Sequence, residues 1–409
     1  MLQNKRSNLS DVRKANCKLI FDTLYKRDGM TLLEMEQSTE LSRPTVVGMV
    51  RAMEEAGLIR KLGKRESNGG RTPYLYGINA EAYYALGIDF EFPVSRVVVS
   101  DMKGNIIGSS RKEFLNNEEV TVSGENSETE FYAEEVIEGL LSQIEEVICD
   151  SGVKKERLLG IGMGMPGYID LKKGISVRFE RISDWKNIDI VKRITEGTGL
   201  PVFMENDVHL LFRAEQELWD WEQQDTLFVA IRSGIGSAIF QRGHLIEGEY
   251  GNAGYIGHTV IEIDGPKCTC GNYGCLELYA SERAIRKNYE KASGVKCSTV
   301  EEIVKRALSG DETARMILQT AGKYLGAGIG NAVNMLDINR IIVSADFDCQ
   351  ILLQKAQQVL DQRINCPQGR NAKIYLSRLS EMQFALGGCQ LVFSRNRYEI
   401  LSAVPLKNI

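Results

Sequence analysis

Apolar Val12, Ala15, Leu19, Ile20 and Leu24 recur three and four residues apart between Asp11 and Arg27, which predicts a helix ended by Gly29. Thr31-Leu32-Leu33-Glu34 has the form of a capping box and opens a second, short helix through about Gln37. A third helix is predicted from an N-cap at Ser42, with Pro44 in its first turn, Val46, Val50, Met53 and Ala56 along one face, and Gly57 as its stop. Two strand patterns follow, Leu58 to Leu62 and Tyr74 to Ile78, around a glycine-rich tip at 63–71. Beyond Tyr84 the period changes to two: Tyr84 to Phe90, Val94 to Asp101 and Ile106 to Gly108 read as strands. An amphipathic helix at 130–150 (Phe131, Val136, Ile137, Leu140, Ile144, Val147) leads to a strand and turn at 158–170 and to strands at 201–207, 226–231 and 340–346. Helices are predicted from Val300 to Ala307 and from Ala314 to Met335, and a closing helix opens at Ala385. Alternating strands and helices of this kind specify an α/β body behind a helical head.

Charge separates the two parts. The chain carries −5 overall, yet residues 1–80 hold 14 Lys+Arg against 9 Asp+Glu, a net of +5 that leaves −10 on the rest. A basic head on an acidic body suggests that only the head meets a polyanion. Three helices followed by a two-stranded wing are the spacing of a winged helix-turn-helix, which puts Arg43, Thr45 and Arg51 of the third helix toward the major groove of double-stranded DNA. Lys64, Arg65 and Arg71 at the wing tip would touch phosphates or a narrow minor groove; alternatively they solvate a loop. No apolar run is long enough for a membrane span and no basic-then-apolar leader opens the sequence. With nine cysteines, an odd number, these features fit a reducing cytoplasm.

Three of those cysteines, Cys268, Cys270 and Cys275, stand at C-x-C-x4-C spacing with Gly271 and Gly274 between them and His258 upstream. One imidazole and three thiolates fill the four positions of a tetrahedral zinc ion, leaving none for a catalytic water, so the expected metal is structural. The alternative is that these are ordinary buried thiols.

The stretch Gly251-Asn252-Ala253-Gly254-Tyr255-Ile256-Gly257-His258, followed by Cys268-Thr269-Cys270-Gly271-Asn272-Tyr273-Gly274-Cys275-Leu276-Glu277, resembles the signature of the ROK family of repressors and sugar kinases. The resemblance extends over nearly the whole chain. It implies an actin-like (ribonuclease H-like) two-lobed ATPase fold behind the winged head, divided as 1–80, a first lobe of 81–205 plus about 385–409, and a second lobe of 206–384 with the zinc site. It also implies that His258 serves both the metal and a sugar, that Glu277 bonds a sugar hydroxyl, and that Asn206 and Asp207, in Glu205-Asn206-Asp207, hold the sugar. In kinases of the family the aspartate is the general base; at a strand end it can equally be a helix N-cap. Gly164-Met165-Pro166-Gly167 matches a family turn near the sugar.

Five departures from the pattern matter. Tyr255 stands where the family usually has a sugar-binding glutamate. His209 stands where it has a small residue, and Trp219 and Trp221 nearby are read as packing residues. The first phosphate loop is replaced by Asp89-Phe90-Glu91-Phe92-Pro93, without its glycines, so Asp89 reads as a remnant of the fold and no ATP binding is expected. In the second loop the leading Gly-Thr has become Arg232-Ser233, and the paired glycines that end the family's counterpart of the 340–346 strand are missing.

Three functions are then open. A carbohydrate-sensing repressor would act as a homodimer or dimer of dimers on an operator, lobe closure pulling on the linker through Tyr83. A sugar kinase with a regulatory head would release ADP. A repressor without an effector would have Tyr255 filling the sugar pocket.

Overall fold

The computed structural model describes residues 9–65, 72–114, 132–179, 181–182, 184–218, 224–364 and 371–405. Arg71, Phe131, Trp219 and Trp221 lie outside these residues.

The head consists of α1 (Leu9–Lys26), α2 (Leu32–Thr39), α3 (Arg43–Glu55) and an antiparallel pair, β1 (Ile59–Lys64) with β2 (Tyr74–Ile78). Thr31 and Glu34 form the capping box: the Thr31 hydroxyl accepts from the Glu34 N–H at 3.2 Å, and the Glu34 carboxylate accepts from the Thr31 N–H at 2.9 Å. Such a cap stabilises a helix by about 1 kcal/mol. Ser42 occupies the N-cap position of α3, but its hydroxyl meets the Thr45 hydroxyl at 2.9 Å instead of capping a backbone N–H. Phe21, Leu24, Met35, Val46, Met49 and Met53 fill the interior of the three helices.

The body repeats one plan twice. The first sheet is built from β3 (Tyr84–Glu91), β4 (Val94–Asp101), β5 (Ile106–Glu113) and, after α4 (Ala133–Ser151), β6 (Leu158–Met165). A small three-stranded sheet follows, β7 (Tyr168–Asp170), β8 (Ile175–Arg178) and β9 (Lys186–Ile188), then α5 (Ile190–Thr198) and β10 (Val202–Asn206), which completes the first sheet in the order β10-β6-β3-β4-β5. Within it β3, β4 and β5 form an antiparallel meander, while β6 and β10 join β3 in parallel.

After α6 (Asp207–Gln216) the plan recurs with β11 (Thr226–Ile231), β12 (Ile235–Gln241) and β13 (His244–Leu245) as the meander. Helices α7 (Glu277–Ala280), α8 (Glu282–Ser293), α9 (Val300–Leu308) and α10 (Glu312–Leu336) precede β14 (Arg340–Ala345); α11 (Gln350–Arg363) precedes β15 (Lys373–Leu376). The second sheet runs β13-β12-β11-β14-β15, with β14 and β15 parallel to β11. The duplication sets the first hairpin turn of each sheet, after Glu91 and after Ile231, at equivalent places.

The chain closes with α12 (Leu386–Arg395) and α13 (Arg397–Ser402). Helix α12 packs on β3 and β6 of the first sheet, and a Cβ on Gly162 would lie 2.0 Å from the carbonyl oxygen of Gly388, so only glycine permits this approach. The head shares one hydrophobic cluster with this region: Phe21, Met30 and Ile59 are continuous with Val98, Met102, Cys389 and Phe393. The segment between head and body is a single turn of 3-10 helix, Ala80–Ala82, pinned where Met102 N–H donates to the Ala80 carbonyl at 3.0 Å. Tyr83 packs into the shared cluster, so the connection is a packed seam and not an extended linker. Among the described residues no helix is long and apolar enough to cross a membrane.

Candidate functional site

Asn206 ends β10 and caps α6: its Oδ1 accepts from the N–H groups of Val208 at 3.0 Å and His209 at 3.3 Å. The capping role open to Asp207 therefore belongs to Asn206, one residue earlier, and the Asp207 carboxylate is turned into a cavity. Burial raises its pKa to about 6; Arg232 opposes this and Asp89 adds to it. His209, 1% exposed, joins α6 to the next glycine-rich segment through Nε2 and the Ala253 carbonyl oxygen, 3.1 Å apart, and burial lowers its pKa.

The cavity measures about 220 Å3, and Asn206, Asp207, His258, Glu277 and Tyr255 all line it. Gly167, of the turn after β6, lines it too. Tyr255 does not fill it. Its hydroxyl lies 2.9 Å from the Gly167 carbonyl oxygen and 2.8 Å from Asn252 Oδ1, with one proton to give to either, and its ring meets Tyr168 edge to face at 5.7 Å.

His258 ends a short 3-10 turn, and the three cysteines lie on the loop that returns beside it through the bridge Val260–Cys275. The tightness of this loop depends on Gly274, at φ +65°, where a Cβ would stand 1.6 Å from the Glu262 carbonyl oxygen. One ligand atom from each of His258, Cys268, Cys270 and Cys275 lies within 4.8 Å of the others. Cys270 Sγ and Cys275 Sγ are 3.6 Å apart, and Cys268 Sγ and His258 Nδ1 3.8 Å. A tetrahedral ion with sulfur ligands at about 2.3 Å needs ligand atoms roughly 3.5–3.8 Å apart, so the group fits. Glu277 Oε1 lies 3.1 Å from Cys268 Sγ and 3.7 Å from His258 Nδ1, which ties the cavity wall to the metal loop.

The two hairpin turns facing one another hold a network that the sequence reading missed. Asp89, read there as a remnant, is 2% exposed and accepts from Arg232 through both oxygens, at 2.9 and 3.0 Å, and from Arg96 at 3.0 Å. Arg96 also reaches Asp346 at 3.0 Å and Glu381 at 3.2 Å, while Arg232 Nε meets Glu91 at 3.1 Å. The Phe384 ring covers both guanidinium groups, at 5.2 and 5.0 Å. Burial alone would raise the Asp89 pKa, but Arg232 and Arg96 hold it below the usual carboxylate range. Phe90 and Phe92, from the same altered loop, are buried with Phe114, Phe179 and Trp185. Arginine in the second loop was the available signal, but its partner lies 143 residues earlier.

On the head, Arg43 and Thr45 occupy the first turn of α3 and Arg51 lies two turns later. Arg43 and Arg51 keep 64% and 80% of their side-chain surface exposed, in local ion pairs with Glu36 at 3.7 Å and Glu55 at 2.9 Å. Val47, 42% exposed, stands between them on the same face and was not singled out from sequence. Lys64 is the last residue of β1 and its ammonium lies 5.2 Å over the Tyr74 ring, so it stands on the strand and not at the hairpin tip. Arg65 pairs with Glu34 at 3.0 Å.

Residues 108–394 match the ROK family. The xylose repressor of Bacillus subtilis is 28% identical over 385 residues, spanning 93% of this chain and 95% of the relative. NagC of Escherichia coli K12, described as a DNA-binding transcriptional dual regulator, is 22% identical over 353 residues, 84% of this chain and 83% of its own. Among solved structures, a ROK family transcriptional regulator described as a homologue of the E. coli MLC protein superposes with a TM-score of 0.75 at 23% identity, covering 97% of this chain and 98% of that one. A ROK glucokinase from Streptomyces griseus, solved with glucose and AMPPNP, gives 0.64 at 21% identity, covering 75% and 98%. The match spans well over half of the sequence and the likeness to solved structures extends to the two-lobed body: the chain belongs to the ROK family.

Proposed function

We propose that this protein is a carbohydrate-responsive transcriptional repressor. One observation carries the reading: Asn206, Asp207, His258 and Glu277 line a single cavity in a chain whose head offers an exposed Arg43-Val47-Arg51 face and shares its core with the body. Relatives of nearly full length are named as xylose repressors, which supports both halves of it. In this reading α3 enters the major groove, Arg43, Thr45 and Arg51 reach bases or phosphates, and Val47 offers a methyl contact. Lys64, Arg65 and Arg71 meet the DNA backbone from the wing. The chain acts as three units, 1–80, 81–205 with 385–409, and 206–384, and as a homodimer, because paired half-sites need paired heads.

The metal is zinc, held by His258, Cys268, Cys270 and Cys275. It supplies no reaction step; His258, fixed through one ring nitrogen, faces the sugar beside Glu277, and Asn206 and Asp207 bind hydroxyls in the same cavity. No phosphoryl transfer is expected, since Arg96, Arg232 and Asp89 take one another's charges where the phosphate loops would stand.

The test is a thermal melt of the purified protein against sugars and magnesium ATP, followed by operator release measured with whichever ligand stabilises. A ligand at about a hundred times its dissociation constant adds roughly 2.7 kcal/mol of stability. Stabilisation by a sugar that also releases DNA supports the proposal; stabilisation by magnesium ATP with ADP formation overturns it in favour of a kinase.

A further inference from the structure

The network between the two hairpin turns joins the lobes. Asp89 and Arg96 stand on β3 and β4 of the first sheet, whereas Arg232 follows β11 and Asp346 follows β14 of the second. Each nitrogen of the Arg232 guanidinium already meets a carboxylate oxygen, Nη1 and Nη2 at Asp89 and Nε at Glu91. Arg96, with 4% of its side-chain surface exposed, spans from Asp89 to Asp346. Good geometry and further hydrogen bonds are what offset the desolvation of buried ion pairs. Both conditions hold here: the Arg232–Asp89 pair is bidentate, Arg96 adds a third bond to the same carboxylate, and the Phe384 ring covers both guanidinium groups. Parting the two sheets would break the pairs and uncover that ring.

The Asp89–Arg232 pair abuts the cavity at both of its ends. Asp89 lies in register with Gly164 of β6, where a Cβ would come 3.2 Å from the Asp207 Cα. The turn that carries Arg232 is closed by the Arg232 N–H, which donates to the Gly234 carbonyl oxygen at 2.9 Å, and a Cβ on Gly234 would come 3.2 Å from Glu277 Oε2. The Arg232 carbonyl oxygen accepts from the Glu282 N–H at 3.0 Å, at the start of α8. The pair thus fixes the strands beside Asp207 against the turn beside Glu277. Asp89, Arg96 and Asp346 do not themselves line that cavity. The adjoining cleft of about 720 Å3 is lined by more carboxylates than arginines, Glu91, Glu282, Glu301, Asp346 and Asp348 among them. A triphosphate placed there would meet like charge, so a nucleotide is not what bridges the lobes.

We propose that the Asp89–Arg232 and Arg96–Asp346 pairs are a clasp that holds the lobes together with no nucleotide and no ligand bound, and so sets the separation of Asp207 and Glu277 in advance. Asp89 and Arg96 are positioning residues for the ligand and make no contact with it. The inference rests on the carbohydrate reading for the nature of that ligand; its own content is that closure precedes binding.

The experiment combines small-angle scattering of the full-length protein with calorimetric titration of xylose, glucose and N-acetylglucosamine. It is run on the wild type, on Asp89→Asn, and on Arg96→Met/Asp346→Asn, which removes both charges of one pair together. The wild type should keep one radius of gyration with and without sugar. Each variant should be wider when empty, contract on binding, and bind at least about tenfold more weakly, as a fall of the closed fraction to about a tenth requires. A merely structural role would lower the melting temperature without making the radius depend on ligand. Asp346→Asn alone, at a side chain 29% exposed, repeats the test should either variant lose its cooperative melt. A wild type that contracts on binding overturns the inference, as do variants with the wild-type radius or with undiminished affinity. If no sugar binds the wild type, the carbohydrate reading falls and the empty radius still decides the clasp: wider variants support it and unchanged ones overturn it.

Discussion

Burial raises the Asp207 carboxyl from 3.8 to about 6, so the folded chain holds this proton more tightly than the unfolded chain does. The neutral carboxyl therefore favours folding most fully below about pH 4, and that contribution is lost as pH rises through about 6. At neutral pH the residue is a carboxylate kept in a poorly solvated cavity, at a cost on the order of 1–3 kcal/mol. Asp207→Asn should accordingly raise the melting temperature of the unliganded protein at pH 7, with the gain shrinking toward zero at pH 4. The same substitution should weaken carbohydrate binding, because asparagine cannot accept through both oxygens. Melts of both proteins from pH 4 to 8 check the first expectation. A variant less stable at every pH would mean that the carboxylate serves the fold and not a ligand.

At the scale of elements, the His258–Cys275 loop brings together the same four candidate metal ligands that the sequence singled out. These candidates span only His258 to Cys275, and the glycines that fold the loop sit in the same short stretch. Glu277 abuts both Cys268 and His258, so losing the ion should disturb the cavity wall as well as the loop. We expect one zinc per chain by atomic emission, and none in Cys268→Ser or after chelation. Either treatment should lower the melting temperature and reduce ligand affinity by about 10- to 100-fold. A zinc-free protein that binds its ligand as before would confine the metal to a remote structural role.

The helices of the head and the alternation of the body were equally readable, because each rests on a local period: Val46, Val50 and Met53 on one face of α3, or the apolar run in β3. What could not be read were pairings over distance. Asp89 looked inert since Arg96 meets it across a β-hairpin and Arg232 across 143 residues. The Asn206 cap was assigned one residue late, a shift that decides which side chain is free to face the cavity. Nothing in the hydrophobic period places Arg96 beside Asp346, 250 residues later; that requires the start of β4 to meet the end of β14 across the two sheets.

For the whole molecule, the question is how a ligand at Asp207 reaches a head that packs beyond α12 and α13 on the same face of the first sheet. The described contacts offer a packed route. Helix α6 carries Asp207 and lies against α12, where a Cβ on Gly387 would meet the Leu210 carbonyl oxygen at 1.8 Å, so a displacement of α6 cannot be absorbed by a gap. Helix α13 follows α12 at once and binds α1: Arg397 Nη1 reaches Asp22 at 2.5 Å, its guanidinium lies 5.0 Å over the Tyr25 ring, and Lys14 donates to the Tyr398 hydroxyl at 3.1 Å. Arg397 touches neither the cavity nor α3, so Arg397→Ala should change coupling more than either affinity. Linkage makes the expectation strict, because a ligand that weakens operator binding by some factor must itself be bound more weakly by that factor when DNA is present. Ligand affinity measured with and without operator should differ by roughly 5- to 150-fold in the wild type, the usual range of such couplings. In Arg397→Ala the two values should converge, and operator affinity should lose its ligand dependence to the same extent. Unchanged coupling in that variant would move the route away from α13, to the spacing of the heads across a dimer.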